Sequence, residues 1–382
     1  MADADPSLRL SVRDSVGSIE ASAWDALAGG HPFVGHAFLS LLEESGSVGR
    51  GTGWQPLPLA LEDADGAAQG FVPAYAKAHS QGEYVFDHAW ADAWERAGGD
   101  YYPKLQIAAP FTPVPGPRLL AGDDGARRGL IAGIEALVRQ NGLSSAHATF
   151  LTDADLSAFT AAGWLIRQGH QFHWHDEAYG DFDGFLGALT SRRRKAIRKE
   201  RATAQAAVRI ATKTGAEITA QDWELMWACY QDTGARKWGR PYLSRAAFDL
   251  IGERMAEQVL LMTAHDRETG EGVAAALNFV GADALYGRYW GALREVPALH
   301  FELCYYQAID WALAHGLTRV EAGAQGEHKL ARGYRAGPTW SAHYIPHAGF
   351  RRAVADFLEH ERAAEAEALA YHAAESPFRE VD

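Results

Sequence analysis

Cysteine is nearly missing from this 382-residue sequence, which holds only Cys229 and Cys304. Two thiols so far apart exclude a disulfide framework and a cysteine-based zinc site, and such usage fits a reducing compartment. Long apolar runs are missing as well, since no stretch approaches the roughly 18 residues that cross a bilayer. The first residues are acidic and lack the basic-then-apolar order of a signal or transit peptide. The chain therefore reads as cytoplasmic, with no membrane insertion. Positive charge is in deficit: 36 Lys and Arg stand against 49 Asp and Glu, for a net charge of -13. That balance excludes general adhesion to nucleic acid and leaves only local basic patches as phosphate sites. Low-complexity bias is absent too, with 15 prolines, 39 glycines and 47% hydrophobic residues. Disorder is excluded, and the length predicts two or three domains.

What is present follows a duplicated plan. Helical material at 24–27 and 37–44 precedes a hairpin of 57–62 and 70–76 around Asp65-Gly66. The second half repeats this with helices at 222–230 and 245–258 and a hairpin of 259–265 and 272–280 around Thr269-Gly270. A second echo follows in the same order. Ile134-Glu135 before Gly142-Leu143-Ser144 matches Ile309-Asp310 before Gly316-Leu317-Thr318, each a helix stopped by glycine and feeding a strand. These landmarks lie farther apart in the first half, which places an insertion within 77–105. The expected division is an N-terminal domain 1–180, a connecting helix 181–206 and a C-terminal domain 207–382.

The connecting segment carries the basic patch. Within 191–201 (SRRRKAIRKER), seven of eleven residues are Lys or Arg. Arg192, Arg193, Arg194, Lys195, Arg198 and Lys199 form either a solvated helix face or an anion-docking surface for a phosphate-bearing donor or RNA. Farther on, strand alternation over 284–292 sets Tyr286, Arg288 and Trp290 on one face, where an arginine flanked by aromatics can clamp a substrate anion. The helix after Pro297 has a core stripe of Phe301, Cys304, Tyr305, Ala308, Ile309 and Ala312. Cys304 on that stripe reads as a small buried hydrophobe, which weakens the case for a cysteine hydrolase. His170, His173 and His175 invite a metal reading, but 16 histidines make such spacing ordinary, and no metal is expected.

The order helix, hairpin, strand, helix, strand is that of an acyltransferase fold with a splayed central sheet. The blocks KAHSQGEYVFDHAWADAW (77–94), YYPKLQIAAPFTPVPGPRLL (101–120), FHWHDEAYGDFDGFL (172–186), RRRKAIRKER (192–201), YGRYWG (286–291), HFELCYYQAID (300–310) and EAGAQGEHKLARGY (321–334) resemble the FemAB-like "peptidoglycan biosynthesis" proteins of bacteria, distant members of the GNAT superfamily. The resemblance spans nearly the whole chain. It implies an α/β fold of two tandem GNAT-like domains, each a mixed, mostly antiparallel sheet flanked by helices, and transfer of an acyl or aminoacyl group to an amine. It further implies acyl-CoA or aminoacyl-tRNA as co-substrate, a small-molecule or peptide amine acceptor, and no tightly bound cofactor. Where GNAT enzymes cradle a pyrophosphate on glycine-rich backbone, the matching stretch 294–300 (REVPALH) has a proline and no glycine. Relatives without that loop use aminoacyl-tRNA, whose backbone the patch at 192–201 would suit.

Transfer to an amine needs a neutral amine, aligned reactants and help for the developing oxyanion. The base candidates are Glu302 early in its helix, Glu321 on the strand 318–324, and Glu327 or His328 in the segment QGEHKLAR. Lys329 and Arg332 would hold a carboxylate or phosphate. Lys77, His79 and Glu83 form the expected acceptor side, and Arg236, Lys237 and Trp238 the expected loop along an acceptor groove. The rival reading is a module of the same fold that binds a peptide, RNA or cell-wall precursor without turnover.

Overall fold

In the computed structural model, which describes residues 8–237, 241–323 and 326–379, the first hairpin is bent. Trp54–Pro56 pairs with Ala74–Lys77, Trp54 opposite Lys77, and Leu59–Glu62 pairs with Ala68–Val72, Leu59 opposite Val72. The register is the same in both pairs, so Pro58 and Pro73 stand across from one another at the bend. Neither ring nitrogen can donate to a ladder. Each proline carbonyl turns to a different neighbour instead: Pro58 accepts from the Arg13 N–H at 2.8 Å and Pro73 from the Ala108 N–H at 3.1 Å. The hairpin thereby feeds two sheets. Its tip joins Arg9–Val12 and Leu120–Ala121, and its base joins Lys104–Ile107, Ala146–Thr149 and residues 341–344.

The chain divides into two units, residues 1–169 with 338–367 and residues 170–337 with 368–382. This differs from a linear division at 180. The strands Leu165–His175 and Arg335–Tyr344 each begin in one unit and end in the other, and residues 181–206 belong to the second.

In the second unit the strands run in the order Val208–Thr214, Val259–Asp266, Gly272–Val280, Ala284–Ala292, Arg319–Glu321 and residues 173–175. Only the pairing of Ala284–Ala292 with Arg319–Glu321 is parallel. A parallel pair requires a crossover, which the helix 299–314 supplies. The first unit repeats the device, with Lys104–Ile107 parallel to Ala146–Thr149 and Asp124–Gln140 crossing over. Both crossover helices stop at a left-handed glycine, Gly142 (φ 62°) and Gly316 (φ 69°). The following N–H groups close the ends, Leu143 onto the Val138 carbonyl at 3.1 Å and Leu317 onto the Ala312 carbonyl at 2.9 Å. The echo in the sequence is thus a repeated α/β unit, a mixed, mostly antiparallel sheet flanked by helices. The insertion falls at residues 78–103, which carry the helix His88–Arg96, whereas the second unit passes from Val280 to Ala284 through a tight turn.

Three local expectations change. The connecting helix expected over 181–206 is two, Phe182–Ala188 and Ser191–Ala207. Leu189 between them is extended and bridges Phe378, and the Thr190 N–H donates to the Pro377 carbonyl at 3.0 Å, a tertiary tie invisible in the local pattern. The helix Ala220–Lys237 runs through Arg236 and Lys237, so these two are not in a loop, and Trp238 lies outside the described residues. Finally, Ala284–Ala292 contains a bulge. Tyr289 faces Leu277 and Gly287 faces Asn278, which leaves Arg288 as the extra residue. The bulge reverses the alternation. Leu285 and Trp290 both pack on the helix-299–314 side, and Tyr289 packs on Tyr230 and Phe248. Tyr286 and Trp290 therefore do not share a face.

Candidate active site

The parallel pairing in the second unit lasts three residue pairs, from Ala284–Arg319 to Tyr286–Glu321. The chain then turns away at Gly323 (φ 77°). Residues 287–292 keep Gly272–Val280 on one side and have no strand on the other among the described residues. Glu321 stands where the two strands part. It is 4% exposed. Its Oε1 accepts from Arg319 Nε at 2.9 Å, while Oε2 has no hydrogen bond and lies 3.7 Å from His173 Nε2. Arg319 and Glu321, two apart on a strand, share a face, and Arg319 is anchored in turn by Asp283 at 3.0 Å. Burial outweighs Arg319 and lifts the Glu321 carboxyl to about 7. The same burial, with Arg319 adding to it, pushes His173 down to about 3, so its imidazole is neutral. Its Nε2 lies 3.2 Å from Gln171 Oε1, which assigns the proton to Nε2.

Lys329 comes from the short 3-10 helix Glu327–Arg332, bounded by Gly326 and Gly333, both at positive φ. Its ammonium is fully buried and donates to the Gly323 carbonyl at 2.6 Å. Burial lowers it to about 8, with Cys304 and Glu321 opposing the drop. Glu321, two residues before Gly323, and Lys329, on the Gly323 carbonyl, are both buried, which shifts the carboxyl up and the ammonium down.

The other expected residues are placed differently. Glu327 is exposed with no partner among the described residues, and His328 is exposed with Nε2 at 2.7 Å from the Tyr305 hydroxyl. Arg332 is committed internally: it donates to Glu200 Oε1 and to the His328 carbonyl, both at 2.8 Å, and stacks 3.4 Å above the Phe301 ring. Glu302 is fully buried at the start of a π-helical turn, Glu302–Tyr306. Its Oε1 accepts from the side-chain amides of Gln205 and Gln307, both at 2.7 Å, and its Oε2 is 3.3 Å from Arg201 Nε. It shares none of the partners of Glu321. Arg288 is the bulged residue beside the opening, its guanidinium 5.4 Å from the Tyr289 ring centre, and the Trp290 ring lies 5.3 Å from that of His300, tilted by 51°.

Lys77, His79 and Glu83 belong to a sealed charge cluster in the first unit. Lys77 and Lys104 are wholly buried and Glu83 and Asp87 nearly so. Lys104 donates to Glu83 Oε2 at 2.7 Å, to Ser80 at 2.8 Å and to Asp87. Lys77 sits 3.7 Å over the Trp54 ring and donates to the Gln81 carbonyl at 3.1 Å. Burial lowers Lys77 to about 7 and raises Glu83 to about 7, whereas Lys104 and His147 hold Asp87 well below the carboxylate range despite its burial. His79 bonds the Thr52 carbonyl at 3.0 Å. Charges so enclosed tie the insertion to the strands Ala74–Lys77 and Lys104–Ile107. The sequence reading missed Lys104 and Arg319. Both lie two residues from another polar group on a strand, Gln106 and Glu321, and that alternation was the available signal.

On the helix Ser191–Ala207, Ile197 and Ala204 face inward. Arg192, Lys195, Arg198 and Lys199 are exposed, and Arg193 and Arg194 half so. Arg198 pairs with Asp183 at 3.1 Å, and the other five have no ion pair among the described residues. No group of three or more His, Cys, Asp or Glu able to hold a metal ion occurs among the described residues, and none of their helices is long and apolar enough to cross a membrane.

A repeated unit with one parallel strand pair, a glycine-stopped crossover helix and an opening where the pair parts defines a tandem GNAT-like fold. The family model of the FemAB-like proteins, described as peptidoglycan biosynthesis/recognition, matches residues 15–380, and the chain belongs to that family. Among solved structures, FemX superposes with a TM-score of 0.55 at 12% identity, covering 88% of this chain and 98% of that one. L-PGS from Bacillus licheniformis gives 0.51 at 10% identity, covering 83% and 95%. A conserved protein of unknown function from Bacteroides thetaiotaomicron gives 0.53 at 10% identity, covering 88% and 99%. At these identities the likeness is one of fold. No curated protein matches the sequence.

Proposed function

We propose that the protein transfers an acyl or aminoacyl group from an activated donor to an amine, with Glu321 as general base. The observation that carries this reading is a buried carboxyl with one oxygen unbonded at the point where the parallel strands part, its proton affinity raised to about 7 by burial. A base matched to the working pH is the most effective proton acceptor. In the reaction the attacking ammonium gives one proton to Glu321 Oε2, which passes it to solvent, and the resulting amine forms a C–N bond with the donor carbonyl; Glu321 then takes the second proton from the nitrogen of the tetrahedral adduct and hands it to the leaving group. The Lys329 ammonium stabilises the oxyanion, and the C–O or C–S bond to the donor breaks as the leaving group takes up the proton. The unpaired arginines of the helix Ser191–Ala207 and the glycine-free stretch 294–300 favour aminoacyl-tRNA over acyl-CoA as donor. The family description favours a peptidoglycan-type peptide amine as acceptor.

The test is incubation with aminoacyl-tRNA or acyl-CoA and a peptide amine, following loss of the donor. Many turnovers per protein are expected, and protection of one donor per protein would instead favour a binding module. The pH dependence has two expected limbs. Activity rises through about pH 7 as Glu321 loses its proton and falls through about pH 8 as the Lys329 ammonium is lost. In Lys329→Met the alkaline limb should vanish from the kcat/KM profile, with the acid limb kept. For the donor, replacing Arg192, Lys195 and Lys199 together with Gln should weaken binding. It should also flatten its salt dependence, by about 0.7–0.9 in log–log slope for each phosphate the helix no longer neutralises. An unchanged slope in filter binding would remove this helix from the donor site.

A further inference from the structure

The helix Ser191–Ala207 has two different sides. Arg192, Lys195 and Lys199 are exposed, whereas Ile197, Glu200, Arg201, Ala204 and Gln205 recur at the spacing of one helix face. Three of these grip other elements of the same unit. Arg201 Nε lies 3.3 Å from Glu302 Oε2, and the Gln205 amide donates to Glu302 Oε1 at 2.7 Å. Glu200 takes hold of two elements at once. Its Oε2 accepts from the Tyr306 hydroxyl at the end of the π turn, and its Oε1 accepts from Arg332 Nη2 at 2.8 Å. Arg332 in turn donates through Nη1 to the His328 carbonyl at 2.8 Å and sits 3.4 Å over the Phe301 ring. That carbonyl belongs to the peptide unit joining His328 to Lys329, so the guanidinium restrains the backbone that presents the Lys329 ammonium. The 3-10 helix Glu327–Arg332 needs such an outside restraint. It is six residues long, lies between glycines at positive φ, and its N-cap makes no side-chain hydrogen bond. Runs of 3-10 helix beyond about four residues are uncommon, because their hydrogen bonds are poor.

We propose that Glu200 is a positioning residue for the transfer reaction: by holding Arg332 on the His328 carbonyl and Tyr306 in the π turn, it fixes the Lys329 ammonium where the oxyanion develops. This role rests on the chemistry assigned to Lys329 above. It also joins the helix whose outer side is assigned to the donor to the segment that carries the ammonium, through side chains of one unit.

Pulsed acetylation of the full chain with acetic anhydride, read residue by residue by peptide mass spectrometry, tests the clamp without any substrate. Lys329 is fully buried and should react slowly in the parent. In Glu200→Ala, and more weakly in the isosteric Glu200→Gln, local opening should speed its labelling at least about tenfold, while Lys104, fully buried in the first unit, stays protected. Unchanged labelling of Lys329 would overturn this role alone. So would labelling of Lys104 that rises in step in both variants, since Glu200 would then support the fold in general. The kinetic consequence is read in the transfer assay. Glu200→Gln should lower kcat by about 10- to 100-fold, the scale of a small misplacement, with both KM values unchanged. The alkaline limb should move above about pH 8 as the ammonium regains water. Added to Lys329→Met, Glu200→Gln should cost nothing more, and a further loss in the double variant would show that it acts by another route and overturn the proposal. Full activity in Lys329→Met would overturn the assigned chemistry and this role with it.

Discussion

Glu321→Gln is expected to lower turnover by about 10²- to 10⁴-fold, the usual contribution of a positioned general base, with the fold and donor binding intact. Gln keeps the shape and can still meet Arg319 through its amide oxygen, but it cannot take a proton. Loss of the buried carboxyl also removes a group whose proton affinity is raised by folding, from 4.5 to about 7. Such a group stabilises the folded state most below its unfolded value and loses that contribution as pH rises through 7. Glu321→Gln should therefore unfold no more easily than the parent at pH 8, while being inactive. Circular dichroism and single-turnover transfer at that pH measure the two sides, and full activity in the variant would end the assignment of Glu321 as base.

Lys104→Met should have the largest effect on stability. The ammonium is wholly buried and holds two carboxylates, Glu83 and Asp87. Removing one partner of a buried ion pair typically costs about 3–5 kcal/mol because the other charge is left without compensation. Here one replacement strands two carboxylates, with only Lys77, 3.7 Å from Glu83 Oε1, left to offset them. Urea unfolding should show the loss, and the triple replacement Lys104→Met, Glu83→Gln, Asp87→Asn should recover much of it by removing the stranded charges. A shift no larger than that of a surface lysine would mean that the cluster is held by packing alone.

The elements that the sequence made legible are those set by local chemistry. The hairpin turns at Asp65-Gly66 and Thr269-Gly270, the glycine stops at 142 and 316, and the crossover helices all follow from residues within a few positions of one another. The insertion was legible because two copies of one plan could be compared. What escaped depends on partners far along the chain. Leu189 is pulled out of a helical stripe by Phe378, and residues 338–367 join the first unit through strand pairings that no local pattern encodes. At the site, Glu321 and Lys329 were legible as charged residues on and after a short strand. Glu302 was equally attractive in sequence, and only its two glutamine donors and Arg201, two of the three on another helix, reveal that it is committed to internal partners. Tyr286 and Trp290 lost their shared face to a one-residue bulge at Arg288, which strict alternation cannot foresee.

The bend at Pro58 and Pro73 links two distant properties. Because the register is common to both arms from Trp54 to Leu61, a slip of one position at the Leu59–Leu61 pairing would be carried past the prolines and would turn Lys77 over to the opposite side of its strand. A charged amine would then sit among leucines and alanines, and the cluster around Lys104 would lose a member. The pairing beyond the prolines thus decides the orientation of an amine it never touches, and sequence changes there should be read for their effect on the protein's electrostatic interior.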